Sequence, residues 1–210
     1  TGGDYFDFFP CEDEDCARFG IVVGDVTGHG VGAALLMATA RALIRGLVTR
    51  PEHLAESLTQ VNSLLSADVR DTGRFMSLFF LMIEEGSGAI SWVRAGHDPA
   101  ILYDPATDTV EELIGPGMVL GVEEDYSYEH VEKTIETDGT IILIGTDGIW
   151  ETHNGEGVMF GKDRLSHIIR KNKHKSAGAI QDAVLEAVSD FRGDTEQEDD
   201  ITIVVLKVLL

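Results

Sequence analysis

Aspartate residues stand at the ends of several strongly apolar segments of this 210-residue chain. The segments RFGIVVGDV and GTIILIGTD run into Asp25 and Asp147, and DDITIVVLKVLL begins on Asp199 and Asp200. Asp4 follows two glycines at the start of a further strand-like segment, DYFDFFP. Aspartate is a poor strand residue, so one such residue alone would indicate a turn or a helix cap. Several from distant parts of the chain favour another interpretation, in which they form one cluster of carboxylates.

Such a cluster requires cations. Two carboxylates about 4 Å apart repel each other by roughly 4 kcal/mol at an effective dielectric constant near 20, so several together must be protonated or bound to metal. All-oxygen sites suit Mg²⁺, Mn²⁺ or Ca²⁺, and no His or Cys spacing indicates zinc. Carboxylates that bridge two ions about 3.5–4 Å apart form a hydrolytic centre for phosphoryl groups. The pattern therefore predicts that Asp25 holds metal.

A glycine-rich turn follows Asp25 in the segment GDVTGHGVGAALLMA. Gly28, Gly30 and Gly32 permit a tight turn and a close approach of the backbone to a ligand. The turn leads into an apolar helix whose N-terminus favours anions such as phosphate. An ordinary strand-to-helix turn explains the glycines equally well, so they support the metal interpretation only together with Asp25.

The elements that position these acids are predicted from hydrophobic periodicity and from turn residues. Helices are predicted at 31–48, from Pro51 through about residue 66, at 161–171 and at 176–191. Strands are predicted at 4–10, 18–26, 76–83, 88–96, 100–104, 109–113, 128–137, 139–147 and 199–210. Runs of strands separated from pairs of helices indicate an α+β fold rather than alternating βαβ units. We therefore predict a four-layer α-β-β-α sandwich of two antiparallel sheets flanked by helix pairs.

The charge and composition narrow the classes of partner and compartment. The formal net charge is −21, from 37 acidic and 16 basic residues, which argues against a nucleic-acid partner. No segment has the unbroken apolar length of a transmembrane helix, and none resembles a signal peptide. Cys11 and Cys16 form neither a disulfide framework nor a zinc site. We expect free thiols and a cytoplasmic location, with no membrane contact by this domain.

Five motifs together carry a resemblance to a known family. They are GGDYFD (2–7), GDVTGHGVGAALLMA (24–38), RAGHDPAILY (94–103), GTDGIWE (145–151) and EDDITIVVLK (198–207). In this order they resemble the SpoIIE/RsbU-type serine/threonine phosphatases, the bacterial branch of the metal-dependent PPM (phosphatase-2C-like) superfamily. The resemblance spans essentially the whole chain. It implies the α-β-β-α fold and a single phosphatase domain at residues 1–210, the C-terminal catalytic part of a longer regulatory protein.

The resemblance also implies a centre of two Mn²⁺ or Mg²⁺ ions. It implies that Asp25 bridges both ions, that the main-chain carbonyl of Val26 is a ligand, and that Asp147 and Asp199 bind one ion. The resemblance further implies that Asp4 serves the other ion, directly or through water. Asp25, Asp147 and Asp199 are thus the implied catalytic residues, and Asp200 ranks lower because its position in the family lies behind the ligands.

The implied reaction is hydrolysis of phosphoserine or phosphothreonine by a metal-bridged hydroxide, without a protein nucleophile. The usual substrate in this branch is a phosphorylated anti-sigma-factor antagonist, a small STAS-domain protein, and a homodimer remains open. Distant members of the superfamily place a histidine two residues after the bridging aspartate, where this chain has Thr27. A general-acid role for His29 is therefore the weaker alternative to support of the turn, and we expect His97 to be structural.

Two other functions remain open. A non-catalytic pseudophosphatase that binds a phosphoprotein would have lost metal carboxylates, and the main positions are retained. A two-metal phosphodiesterase fits the carboxylates alone but not the order of the motifs. An aspartate-nucleophile phosphatase would require a second aspartate at position 27, where Thr27 stands.

Overall fold

The structure is a computed structural model that describes residues 2–10, 18–48 and 53–210. The chain forms two compact units, Thr1–Pro99 with Ile114–Thr134, and Ala100–Leu113 with Ile135–Leu210. We call them unit 1 and unit 2 and describe each by itself. In the described ranges, no helix is long and apolar enough to cross a membrane.

Unit 1 contains an antiparallel five-stranded sheet and two helices. The strands are β1 (Tyr5–Pro10), β2 (Arg18–Val26), β3 (Met76–Glu84), β4 (Ala89–Ala95) and β7 (Val131–Thr134), in the order β1-β2-β3-β4-β7. The helices are α1 (Val31–Leu47) and α2 (Leu54–Val69). Their apolar residues recur at helical spacing, so each buries one stripe. That stripe packs with one face of the sheet in a core that includes Val22, Ile44, Leu58 and Phe80.

Unit 2 contains an antiparallel four-stranded sheet and two helices. The strands are β5 (Ala100–Asp104), β6 (Thr109–Leu113), β8 (Ile141–Gly145) and β9 (Ile203–Lys207), in the order β6-β5-β8-β9. The helices are α3 (Gly161–Asn172) and α4 (Ala177–Arg192). Ser176 caps α4 because its side chain accepts a hydrogen bond from the Ala179 N–H. The unit 2 core includes Tyr103, Leu143, Leu165 and Val184.

The predicted α+β class, the two antiparallel sheets and the helix pair in each unit are confirmed. The prediction that 128–137 is one strand is wrong, because β7 is only four residues long. Tyr128 instead donates its N–H to the Thr59 hydroxyl oxygen and its own hydroxyl to the Met118 carbonyl. These bonds hold the chain near α2, so pairing with β4 begins only at Val131.

Two other predicted boundaries differ. Strand β9 begins at Ile203 rather than on the aspartates, so Asp199 and Asp200 lie in the loop before it. Helix α2 begins at Leu54. The predicted helix start at Pro51 lies outside the described residues, as do Cys11 and Cys16.

Candidate active site

Asp25 is the penultimate residue of β2 and lies directly opposite Ser77 of β3. Its side chain is half-buried, whereas Val26 is fully buried. The strand pairing ends just beyond it, where the Thr27 N–H donates to the Phe75 carbonyl at 3.0 Å. Gly28 and Gly30 then adopt φ angles of 84° and 81°, which favour glycine. The predicted glycine turn is confirmed, and it carries the chain from Asp25 into α1.

Gly3 brings the segment that contains Asp4 against the end of β2. The Val26 N–H donates to the Gly3 carbonyl at 3.3 Å. A Cβ atom on Gly3 would overlap the Val26 carbonyl oxygen and would lie 3.1 Å from Oδ1 of Asp25. Only glycine permits this approach without a shift of the backbone. Unit 1 therefore places the Asp4 segment beside a set of two oxygen groups, the Asp25 carboxylate and the Val26 carbonyl.

An ion pair fixes β1 on helix α1 beside this set. Asp7 accepts hydrogen bonds from Arg45 through both carboxylate oxygens and from the Tyr5 hydroxyl, the latter at 3.0 Å. Burial raises the pKa of the Asp7 carboxyl, but the hydrogen bonds from Arg45, the Phe8 N–H and Tyr5 outweigh it, so the pKa lies below its usual value. This bidentate contact anchors the strand that begins directly after Asp4.

In unit 2, Asp147 and Asp199 line the same small pocket, of about 140 Å³. Asp147 follows Thr146, whose N–H donates to the Thr202 carbonyl and whose hydroxyl accepts from the Thr202 N–H, both at 3.0 Å. A Cβ atom on Gly148 would overlap the Asp200 carbonyl oxygen. These contacts extend the β8–β9 pairing and hold the two loops together. The carboxylates that the sequence placed at two strand ends are thus neighbours in one pocket.

The same pocket contains further polar side chains. His153 forms a 2.9 Å hydrogen bond through Nδ1 with Glu198, which precedes Asp199. Oδ1 of Asp199 accepts the Asp200 N–H at 2.8 Å. The Asp200 side chain is exposed, as is that of Asp199, and it does not line the pocket.

The donors in both units are carboxylates and a carbonyl, which suit Mg²⁺ and Mn²⁺. Among the described residues, no three His, Cys, Asp or Glu side chains are grouped so that they could hold a metal ion. The oxygen chemistry of these residues fits the predicted ions.

Nothing in the sequence indicated the partner of His97. His97 is buried, with 3% of its surface exposed, and its Nδ1 lies 2.8 Å from the Ser77 hydroxyl. Ser77 in turn lies opposite Asp25. His29 is exposed in the glycine turn. No spacing in the sequence pairs residues 77 and 97, since the bond depends on the β3–β4 pairing.

Comparison with known proteins decides the family. Residues 15–209 match the family model described as stage II sporulation protein E (SpoIIE). The chain belongs to the SpoIIE family. This SpoIIE-family chain is 26% identical over 205 residues to the phosphoserine phosphatase RsbU of Bacillus subtilis, and the match covers 98% of the chain and 59% of RsbU. The chain thus spans about three fifths of the length of that relative.

Solved structures share the fold. The SiaA-PP2C domain of Pseudomonas aeruginosa has a TM-score of 0.80 and 25% identity, with 98% of this chain and 80% of the SiaA domain covered. RsbX, solved in complex with magnesium, has a TM-score of 0.67 and 17% identity, and the match covers 99% of this chain and 87% of the RsbX chain. The resemblance to the SpoIIE/RsbU-type branch and the predicted fold class are confirmed.

Proposed function

We propose that this SpoIIE-family chain is a metal-dependent protein serine/threonine phosphatase domain. The observation that carries the proposal is the placement of the acids at the motifs of the family. Gly3 brings the Asp4 segment against Asp25 and Val26, and Asp147 shares a pocket with Asp199. The phosphoserine phosphatase RsbU aligns over 98% of the chain, which supports the same activity.

The proposed ligands of two Mn²⁺ or Mg²⁺ ions are Asp4, Asp25, the Val26 carbonyl, Asp147 and Asp199. Asp25 would bridge the ions, Asp147 and Asp199 would bind one, and Asp4 would serve the other. Bound ions would neutralise the acids and supply a nucleophile at neutral pH. The magnesium complex of RsbX, a protein of the same fold, supports this choice of cation.

Each protein group has a distinct part in this proposal. Asp25 and its neighbours orient the ions, and Gly3 keeps the Asp4 segment close enough to contribute. The Asp7–Arg45 ion pair holds β1 in position. No serine, cysteine or aspartate nucleophile is required, because water attacks phosphorus directly. The residues thus provide binding, orientation and charge compensation.

The proposed substrate is a phosphoserine or phosphothreonine on a regulatory protein, an anti-sigma-factor antagonist of the STAS type. We further propose that residues 1–210 act as one catalytic domain, the C-terminal part of a longer cytoplasmic protein. The net charge of −21 disfavours nucleic acid as a substrate, which weighs against a phosphodiesterase of nucleic acids.

Phosphate release tests the proposal. The protein is incubated with phosphoserine, phosphothreonine and phosphotyrosine peptides and with bis(p-nitrophenyl) phosphate, in Mn²⁺, in Mg²⁺ and in chelator. We expect metal-dependent release from the first two peptides. Hydrolysis of only the diester would favour the phosphodiesterase, and metal binding without any turnover would favour the pseudophosphatase.

A further inference from the structure

Arg74 carries a guanidinium with one unsatisfied buried nitrogen beside the first turn of α1. Its Nη1 atom is buried without a hydrogen-bond partner. Arg74 as a whole is partly buried. A guanidinium has five N–H donors and no acceptor. Leaving such donors unpaired is costly, and buried polar groups in proteins rarely go without a partner.

Gly32 provides the space that this guanidinium occupies. A Cβ atom on Gly32 would lie 2.7 Å from Nη2, 2.8 Å from Cζ and 3.0 Å from Nη1 of Arg74. Glycine lowers helix stability relative to alanine. The protein therefore carries an unfavourable residue in α1 and a buried arginine nitrogen without a partner at the same point. Both are explained if the guanidinium is required there.

The first turn of α1 adds further donors. Gly30 precedes the helix without a side-chain hydrogen bond to it, and the first turn contains no acidic residue. The first N–H groups of a helix lack partners within the helix and carry partial positive charge. Arg74 and this turn thus present hydrogen-bond donors only. A single negatively charged group that has several acceptor oxygens would bind to both, and a phosphate group has this chemistry.

The backbone places this donor cluster next to the candidate active site. Phe75, the residue after Arg74, accepts the Thr27 N–H at 3.0 Å. Thr27 is two residues beyond Asp25, and the turn from Thr27 leads into α1. A phosphate held by Arg74 and the first turn of α1 would therefore lie on the side of the site where β2 ends.

We propose that Arg74, together with the N-terminal turn of α1, binds the phosphate of the substrate phosphoserine or phosphothreonine. This inference rests on the proposed function, since it assigns that phosphate to residues of the same site. Gly32 is the positioning residue, because it allows the guanidinium to lie against the helix. Inorganic phosphate, the product, binds the same donors.

The experiment compares wild type with Arg74→Gln, Arg74→Lys and Gly32→Ala. Arg70→Gln is the matched control, because Arg70 is exposed and paired with Glu124. Two quantities are measured in Mg²⁺: the Kd of inorganic phosphate from its stabilisation against thermal unfolding, and the KM and kcat for a phosphoserine peptide. Stabilisation by Mg²⁺ alone reports the metal site.

Arg74→Gln is expected to raise the Kd of phosphate and the KM of the peptide roughly ten- to hundredfold. Arg74→Lys should recover part of the loss, because it keeps the charge without the planar donor group. Gly32→Ala keeps the arginine and improves helix propensity, yet its Cβ displaces the guanidinium, so phosphate binding should weaken without loss of stability. Arg70→Gln and the response to Mg²⁺ alone should not change.

If wild type hydrolyses the peptide but Arg74→Gln and Gly32→Ala keep its phosphate Kd and KM, the inference is wrong and the proposed function stands. If wild type binds phosphate through Arg74 but hydrolyses no peptide, the proposed function is wrong and the phosphate site stands. Equal weakening in Arg70→Gln would show a nonspecific charge effect and would also overturn the inference.

Discussion

Gly3 lies so close to Val26 that a single added carbon at Gly3 would overlap the Val26 carbonyl oxygen. The same carbon would stand 3.1 Å from Oδ1 of Asp25. Gly3 therefore has a structural role that differs from chain flexibility. It lets an otherwise separate segment approach the strand end that carries Asp25.

Gly3→Ala should disrupt this approach. The added carbon must push the Asp4 segment away from Val26, so we expect a loss of about 1–3 kcal/mol in the free energy of unfolding. Mn²⁺ affinity should fall roughly ten- to hundredfold, as for other changes that displace the supports of metal ligands. Calorimetric titration with Mn²⁺ and urea unfolding measure the two effects.

Gly46→Ala is the control for that variant. A Cβ on Gly46 meets nothing within 4 Å, and Gly46 lies in helix α1. It should raise stability by about 0.5–1 kcal/mol and leave Mn²⁺ affinity unchanged. Unchanged Mn²⁺ affinity in Gly3→Ala would contradict the assignment of the Asp4 segment to the site.

Gly148→Ala tests the contact that joins the Asp147 and Asp199 loops. Because its Cβ would overlap the Asp200 carbonyl oxygen, the two loops must separate, and the carboxylates in the pocket move apart. We expect Mn²⁺ affinity to fall roughly ten- to hundredfold. Gly178→Ala, in open space on α4, should bind Mn²⁺ like wild type. A Gly148→Ala protein with full affinity would exclude this pocket as part of the metal site.

The Asp7–Arg45 ion pair should make unit 1 sensitive to acid. The folded pKa of Asp7 lies below its usual value, so its contribution to stability is complete above the unfolded value of about 3.9. It is lost as the pH falls through the folded pKa. The stability difference between wild type and Asp7→Asn should therefore stay constant from pH 8 to about 5 and shrink below about pH 4. Urea unfolding across this range measures it, and a difference that grows on acidification would contradict the ion pair.

Asn62 should be a strong stability determinant of unit 1. It is fully buried in α2, donates through Nδ2 to the Glu123 carbonyl at 2.7 Å, and accepts the Gly121 N–H at 2.9 Å. Asn62→Ala leaves both loop groups without this partner, so unfolding free energy should fall by about 1–3 kcal/mol. Asp68→Ala, exposed on the same helix, should change it by about 0.5 kcal/mol or less. Equal effects in urea unfolding would show that the Asn62 bonds contribute little.

The sequence was most informative where local signals agreed. Strand β2 is apolar on both faces, with Val22 and Val23 both fully buried, so its end at the acid and the glycine turn could be read from residue types alone. Asp147 and Asp199 were recognisable for the same reason, since each adjoins an apolar run. These local patterns were sufficient to predict the fold class and to identify the candidate acids.

The contacts that hold the site together could not be read in this way. Asp7 and Arg45 are 38 residues apart, and Ser77 and His97 are 20 apart in different segments. No periodicity links such pairs, because they meet only after the sheet and helix have packed. The shortened β7 has the same origin, since Tyr128 bonds to Thr59 of α2 instead of continuing the strand.

Phosphate release by Asp25→Asn tests the central proposal most directly. The rate from a phosphoserine peptide in Mn²⁺ is compared among wild type, Asp25→Asn and Asp182→Asn, which makes the same charge change at an exposed position on α4. We predict metal-dependent release by wild type and Asp182→Asn, and a loss of at least about a hundredfold in Asp25→Asn, because one missing carboxylate removes the shared ligand. Equal release by all three proteins, or release by wild type that persists in chelator, would contradict the assignment of Asp25 to a metal centre.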